Sequence, residues 1–243
     1  MNCMAYGLSK AIDKPVGMQR ENAPSLGALA REMAYIPVMR MVGARAPAVP
    51  LPRARRPRKV MVLPGFMAGD RSMSRLTRSL RVAGHDAFGW GLGRNMGVRA
   101  DLFSRLAEQL DLRTEGEPIA LVGWSLGGLM AREFAKHASC SIDKVLTLGS
   151  PFSGDLRRSN HVWRIYRHIA GHDVERLPIS VDLPRKPAAE TIAFWSPRDG
   201  VISARAARGH PGERDREVRV ECSHMAFVWD EAVIRSIGEA LHS

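Results

Sequence analysis

The sequence predicts an α/β protein with a mostly parallel central sheet flanked by helices. Short runs rich in Val, Ile and Leu alternate with stretches of helical periodicity, and glycine and proline separate the two kinds of segment. The chain has 243 residues, of which 45% are hydrophobic, and this is enough to bury one substantial core. We therefore expect a single α/β domain.

The first 58 residues differ in composition from the rest of the chain. They end in a Pro/Arg-rich stretch at 46–58, which is typical of an extended connector. We therefore divide the chain into an N-terminal extension at 1–58 and a main domain at 59–243.

An amphipathic helix is expected ahead of the connector. Ser25 can cap this helix, and Pro37 is expected to interrupt it. The apolar residues predicted to share one side of the helix are Leu26, Leu29, Met33 and Ile36. Two interpretations stay open for this segment: packing on the main domain, or contact with a membrane surface through its arginines.

Six short apolar runs supply the strands, because such runs without helical spacing favour buried β-structure. In chain order they lie at 60–63, 87–88, 118–122, 144–148, 191–195 and 218–220. Helical spacing predicts the intervening helices at 73–82, at 100–112, from the end of the third strand to about 137, and at 228–241. The glycine-rich stretch at 89–97 does not have the spacing of a dinucleotide-binding loop, so we interpret it as a loop at the rim of a site.

One motif carries the chemistry. The third strand runs directly into Gly-Trp-Ser-Leu-Gly at 123–127, and a helix follows. A serine on such a sharp strand-to-helix turn is a nucleophile elbow, in which neighbouring glycines avoid steric clashes. The pattern indicates that Ser125 is a nucleophile and that the Leu126 backbone N–H can stabilise an oxyanion.

A serine hydroxyl is a weak nucleophile unless a histidine accepts its proton and an acid orients that histidine. After a nucleophile elbow the acid and then the histidine follow on loops behind later strands. Asp199 follows the strand at 191–195 and His224 follows the strand at 218–220, so these are the predicted partners. Asp155, which also follows a strand, is the alternative acid.

A second oxyanion donor is expected on the loop after the first strand. This loop reads Pro-Gly-Phe at 64–66, and the backbone N–H of Phe66 is the candidate. The alternative is a plain tight turn, which Pro-Gly would form anyway.

These segments resemble the lipase/esterase branch of the α/β-hydrolases, and in particular bacterial esterase-like members with Pro-Gly-Phe where many lipases have His-Gly. The resemblance covers residues 59–243. It implies the α/β-hydrolase fold and cleavage of carboxylic esters through an acyl-enzyme, with acyl transfer, thioester cleavage or a non-catalytic binding role as alternatives. This fold often inserts a small helical cap between core strands, and the candidate aromatic contacts for an apolar acyl group are Trp124, Trp163 and Tyr166.

Composition supports further predictions. The net charge of +11 favours anionic surfaces, but no nucleic-acid-binding motif accompanies it, so we expect a small-molecule or lipid-like ester as partner and no nucleic acid. No metal or organic cofactor is expected for this chemistry. The spacing of Cys3, Cys140 and Cys222 fits neither a disulfide framework nor a zinc site, and the start of the chain lacks a secretory pattern. A cytoplasmic location is therefore expected, whereas the oligomeric state is left open.

Overall fold

A computed structural model describes residues 23–38, 46–114, 116–138, 141–155, 166, 168–169 and 181–242. Its strands are β1 (Lys59–Leu63), β2 (Asp86–Gly89), β3 (Ile119–Trp124), β4 (Ile142–Leu148), β5 (Glu190–Trp195) and β6 (Arg216–Arg219). Its α-helices are α1 (Leu26–Val38), α2 (Ser74–Val82), α3 (Leu102–Thr114), α4 (Leu126–His137), α5 (Ala204–Arg208) and α6 (Glu231–His242). Short 3-10 segments lie at Asp70–Met73 and His224–Val228.

The strands form one sheet in the order β2-β1-β3-β4-β5-β6, and every neighbouring pair is parallel. All six residues of β3 are buried, as expected of a central strand covered on both faces. Because the strands are parallel, the loops that follow β1, β3, β4 and β5 meet at one edge of the sheet. This is the edge where open α/β sheets bind ligands.

Helices cover both faces of the sheet. On β1 and β3, Val60, Val62 and Ala120 point into one core cluster, to which α2 and α6 also contribute. Met61 and Leu121 point into the other, with apolar residues of α3 and α4. The alternation along each strand thus divides the apolar residues between two layers, and the predicted α/β architecture is confirmed.

The N-terminal helix differs from its predicted pattern in two respects. It continues to Val38, so Pro37 does not interrupt it where expected. Leu26 and Met33, predicted to lie on the packing side, are 73% and 41% exposed, whereas Glu32 is only 2% exposed. The helix therefore buries an acidic residue where the sequence predicted an apolar face.

The Pro/Arg-rich stretch at 46–58 has no regular secondary structure. It is nevertheless anchored to the domain, because Val49 is fully buried in the core and its backbone N–H donates to Ser79 Oγ at 2.8 Å. Whether 1–58 is a separate unit stays a prediction.

The predicted strands are all present, with bounds that differ by a few residues. The sequence did not predict the short helix α5, and the closing helix begins at Glu231 rather than at 228. Cys222 is buried with a free thiol, while Cys3 and Cys140 lie outside the described residues. No helix in the described part of the chain is both long and apolar enough to cross a membrane.

Candidate active site

Ser125 occupies the turn between β3 and α4. Its backbone has φ 54° and ψ −120°, which is a strained conformation for a residue with a side chain. The turn is held by a hydrogen bond of 2.8 Å from the Ser125 backbone N–H to the Leu148 carbonyl at the end of β4. The side chain is thereby presented at the carboxyl edge of the sheet, where it is only half-buried.

Two glycines allow this turn because backbone passes close to each. A Cβ at Gly123 would lie 2.4 Å from the Gly127 carbonyl oxygen, and a Cβ at Gly127 would lie 2.4 Å from the carbonyl oxygen of Leu63. Real Cβ atoms do not approach backbone so closely. The glycines of the Gly-x-Ser-x-Gly motif are therefore required by packing against β1 and α4 as well as by the turn itself.

The structure brings Ser125, His224 and Asp199 together. Nε2 of His224 lies 3.1 Å from Ser125 Oγ, and Nδ1 of the same ring lies 2.8 Å from Asp199 Oδ2. These three side chains come from the loops after β3, β5 and β6, separated by as many as 99 residues. The contacts form a continuous hydrogen-bonded chain from hydroxyl to carboxylate.

Asp199 is fixed by its own loop. Its Oδ1 accepts hydrogen bonds from the backbone N–H groups of Val201 (2.8 Å) and Ile202 (2.7 Å), which leaves Oδ2 for the histidine. The alternative acid, Asp155, has an exposed side chain, whereas Asp199 is 6% exposed. The geometry therefore places Asp199, and not Asp155, against His224.

His224 is almost fully buried, and its pKa reflects opposing effects. Burial disfavours the imidazolium and lowers the pKa, but the charge and hydrogen bond of Asp199, together with the charge of Glu32, outweigh that effect. The net pKa of His224 is raised above its ordinary value. The imidazolium of His224 is thus more stable here than that of a free histidine side chain.

The loop after β1 passes directly beside the serine. A Cβ at Gly65 would lie 3.3 Å from Ser125 Cβ, so the Pro-Gly-Phe segment lies against the reactive side chain. Phe66 is half-buried, and among the described residues no group accepts a hydrogen bond from its backbone N–H. In the described chain, the non-glycine residues with positive φ are Met67 and Ser125, both at this site. Backbone strain at such positions is typical of functional sites.

Leu126 is the first residue of α4, so its backbone N–H belongs to the group that has no acceptor within the helix. It follows Ser125 directly and shares the positive end of the helix dipole. The two candidate oxyanion donors thus belong to residues near the serine: Leu126 follows it in the chain, and Phe66 follows Gly65, which lies against it. Their role in catalysis stays a prediction.

Asn95 supports the loop after β1, and sequence reasoning did not single it out. The side chain is fully buried; its Nδ2 donates to the Pro64 carbonyl at 2.8 Å and its Oδ1 accepts from the Gly97 N–H. Its backbone exchanges hydrogen bonds with Met67 and Ala68. The predicted rim loop at 89–97 therefore supports the candidate oxyanion loop, and the available signal in the sequence was a polar residue with a glycine two positions away on each side.

The aromatic candidates occupy different places. The Trp124 side chain is 4% exposed and its Nε1 donates to the His224 carbonyl at 3.1 Å, so it supports the histidine segment. The Tyr166 ring packs on Phe66 with centroids 5.2 Å apart, and its hydroxyl accepts from the Val98 N–H. Burial raises the pKa of Tyr166 to about 12, so it is a neutral phenol. Trp163 lies outside the described residues, and substrate contact by any of the three stays a prediction.

Comparison with known proteins shows which solved structures have a similar fold. No protein-family model and no curated protein sequence matches the chain. Among solved structures, it is similar to a lipase-esterase related protein from Clostridium acetobutylicum, with a TM-score of 0.56 and 13% identity over 79% of this chain and 96% of that one. It is also similar to the type II thioesterase BorB from the borrelidin biosynthetic cluster, with a TM-score of 0.55 and 18% identity over 79% and 96% of the two chains.

A third similar structure is an extracellular α/β-hydrolase from a Paenibacillus species, with a TM-score of 0.55 and 14% identity over 76% of this chain and 98% of that one. The match covers nearly the whole length of these proteins, and the all-parallel sheet with helices on both faces agrees with them. The chain therefore has the α/β-hydrolase fold.

Proposed function

We propose that this protein is a serine hydrolase that cleaves carboxylic esters through an acyl-enzyme. The observation that carries the proposal is the placement of His224, whose two ring nitrogens lie within hydrogen-bonding distance of Ser125 Oγ and Asp199 Oδ2. A serine, a histidine and a buried acid in this order are what nucleophilic acyl transfer requires. The strained backbone of Ser125 adds support.

In the first half-reaction, Ser125 Oγ attacks the ester carbonyl carbon while His224 Nε2 takes the hydroxyl proton. The imidazolium that forms is stabilised by Asp199, which keeps the Nδ1 proton directed at its carboxylate. As the tetrahedral intermediate collapses, Nε2 returns the proton to the departing alkoxide. The alcohol leaves, and the acyl group stays on Ser125.

In the second half-reaction, His224 Nε2 takes a proton from water as the water oxygen attacks the acyl carbon. When this tetrahedral intermediate collapses, the bond to Ser125 Oγ breaks, Nε2 returns the proton to Oγ, and the carboxylic acid leaves. Both tetrahedral intermediates carry a negative oxygen, and we assign its stabilisation to the backbone N–H groups of Phe66 and Leu126. Each removed donor of this kind typically lowers the rate by about 10²–10³-fold in serine hydrolases.

The surroundings of Ser125 favour an apolar acyl group. Phe66 and Leu126 are half-buried beside the serine, and Met67, next in the oxyanion loop, is 42% exposed. Such apolar surface at the mouth of a site binds acyl chains by removing them from water. We therefore propose a small or lipid-like ester as substrate.

Thioester cleavage is the second candidate, because the same residues can attack a thioester and because one similar structure is a type II thioesterase. The two activities are separated by pairs of acyl donors that differ only in the leaving group, a p-nitrophenyl ester and the corresponding thioester of each chain length. A tenfold or greater preference for one series in kcat/KM assigns the class. Added alcohol as a competitor for water tests acyl transfer.

Activation of Ser125 is tested with a fluorophosphonate probe, which reacts covalently with activated serines. We expect stoichiometric labelling of the native protein, and loss of labelling in Ser125→Ala and in His224→Ala. Ser153→Ala is the control, since Ser153 is a serine that follows β4 at the same edge of the sheet but forms no hydrogen bond with His224 in the described chain. Absence of labelling in the folded parent protein would argue for a non-catalytic binding role.

A further inference from the structure

Glu32 joins the N-terminal helix to the two loops that carry Asp199 and His224. Its Oε1 accepts hydrogen bonds from the backbone N–H groups of Gly200 (3.0 Å) and His224 (2.7 Å), and its Oε2 accepts from Met225 N–H at 3.1 Å. The donors lie as many as 193 residues away along the chain. One carboxylate thus bridges the residue after the acid and the histidine itself.

The helix lies directly on the acid loop. A Cβ at Gly200 would lie 2.5 Å from the Ala28 carbonyl oxygen and 2.7 Å from Glu32 Cγ, so only glycine permits this approach. Further along α1, the ring of Tyr35 packs on Trp229 with centroids 5.4 Å apart. The helix therefore contacts the acid loop and the segment that begins with His224 over more than one turn.

The Glu32 side chain is buried, and no basic side chain of the described chain neutralises it. It is 2% exposed, and within the described residues no Lys or Arg forms an ion pair with it. A buried carboxylate is tolerated when several N–H groups satisfy its oxygens, as three do here. A glutamine could not accept all three bonds, because its amide nitrogen donates.

We propose that Glu32 is a positioning residue of the active site, which holds the Asp199 and His224 loops at their working separation and stabilises the imidazolium formed on His224. This inference rests on the proposed function, since it concerns the protonation of the same histidine. It also assigns a role to the N-terminal helix, which would complete the catalytic domain rather than precede it.

The loops that carry Asp199 and His224 are also joined by a second bridge, which does not involve Glu32. Ser196 Oγ donates to the Cys222 carbonyl at 2.6 Å and accepts from the Cys222 N–H, so the two loops are already joined behind the site. Glu32 joins the same two loops a second time. It binds Gly200, which follows the acid Asp199, and it binds His224, which is the base. Loss of Glu32 should therefore leave the sheet folded and loosen the reacting groups.

The charged groups that act on His224 in the described chain are Asp199, from the loop after β5, and Glu32, from α1. Both raise the pKa of His224 against the effect of burial. Removal of the Glu32 charge should lower that pKa. A purely structural contact would not predict this change.

The test compares the parent with Glu32→Gln, using the second-order rate constant for fluorophosphonate labelling of Ser125 as a function of pH. We expect a plateau rate roughly ten- to a hundredfold lower, because small misplacements of catalytic groups have effects of this size. We also expect the midpoint of the acidic limb to move to lower pH. Circular dichroism and the Tm report whether the variant is folded.

Two control variants show whether an effect of Glu32→Gln depends on the buried position of Glu32 or only on the loss of a charge from the protein. Arg31→Gln changes an exposed neighbour on the same helix, and Glu117→Gln makes the same change of charge at a side chain that is 63% exposed. Both should label at the parent rate with the parent midpoint. If Glu32→Gln does not fold, Glu32→Asp is measured instead; it keeps the charge, so its midpoint should stay near that of the parent while its rate falls.

The outcomes distinguish the two proposals. A parent protein in which Ser125 is not labelled contradicts the proposed function. A parent that is labelled, with a folded Glu32→Gln variant of equal rate and equal midpoint, overturns the role of Glu32 alone. A midpoint that moves in Glu32→Asp also contradicts it.

Discussion

Oδ2 of Asp199 lies 2.8 Å from Nδ1 of His224, while Oδ1 of the same carboxylate accepts two backbone N–H groups. Every contact of this side chain needs an acceptor, so Asp199→Asn must direct an amide N–H either at His224 or at Val201 and Ile202. We expect a labelling rate about 10³–10⁴-fold below that of the parent, with the fold retained.

Asp155→Asn is the matched control for that variant, because it makes the same change at the acid that also follows a strand. Because the Asp155 side chain is exposed, we expect the labelling rate of this variant to lie within twofold of that of the parent. If the labelling rate fell strongly in Asp155→Asn and changed little in Asp199→Asn, the assignment of the acid would be reversed.

Gly127→Ala should disrupt the junction between β1 and the turn at Ser125. The added Cβ would lie 2.4 Å from the Leu63 carbonyl and 2.6 Å from the Pro64 carbonyl, both of them backbone atoms that cannot move aside alone. We expect a fall of about 3 kcal/mol in the free energy of unfolding, measured with urea, and loss of Ser125 labelling.

Gly27→Ala makes the same substitution where space is open, since the nearest atom to its added Cβ is Ser25 Oγ at 4.0 Å. Alanine favours helix over glycine, so the free energy of unfolding should rise by up to about 1 kcal/mol. Equal destabilisation by both substitutions would contradict the steric argument.

Much of this fold follows from patterns that are local in sequence. The apolar runs of β1 and β3 are contiguous, and the Gly-x-Ser-x-Gly turn lies between a strand and a helix, so position and element type could both be derived from neighbouring residues. The pairing of Asp199 with His224 could be predicted because parallel strands bring their following loops to one edge. These predictions need no knowledge of distant contacts.

The residues that sequence reasoning missed depend on contacts between distant segments. Glu32 has the spacing of a solvated residue on an amphipathic helix, and only the approach of α1 to Gly200 makes it buried. Asn95 lies in a glycine-rich loop where a polar residue is expected at the surface. In both cases most of the partners are backbone groups, which every residue type presents, so the sequence does not identify which of them are bound.

Asn95→Ala tests the support of the candidate oxyanion loop. It leaves the Pro64 carbonyl and the Gly97 N–H without their partner, and each unsatisfied buried group costs about 1–3 kcal/mol. We expect a fall of about 2–4 kcal/mol in the free energy of unfolding and a lower labelling rate. Met96→Ala, at a neighbour that is 45% exposed, should change stability by less than about 0.5 kcal/mol.

His85 should make the stability of the protein depend on pH. Burial, followed by the charges of His242 and Arg58, lowers the pKa of His85 from 6.5 to about 4, and its Nδ1 accepts from the Arg58 N–H. Between pH 6.5 and about 4 the unfolded chain therefore binds a proton that the folded chain does not, so stability falls as pH falls through this window.

The measurement is the free energy of unfolding in urea at pH 7 and pH 5 for the parent and for His85→Gln, which keeps an acceptor but cannot be protonated. Between pH 7 and pH 5, the free energy of unfolding should fall less in the variant than in the parent. The difference should be about 1–2 kcal/mol after allowance for solvent screening. His210→Gln, at an exposed histidine, should lose as much stability as the parent. If His85→Gln also loses as much as the parent, then His85 is protonated in the folded protein at pH 5, and its burial does not hold it neutral.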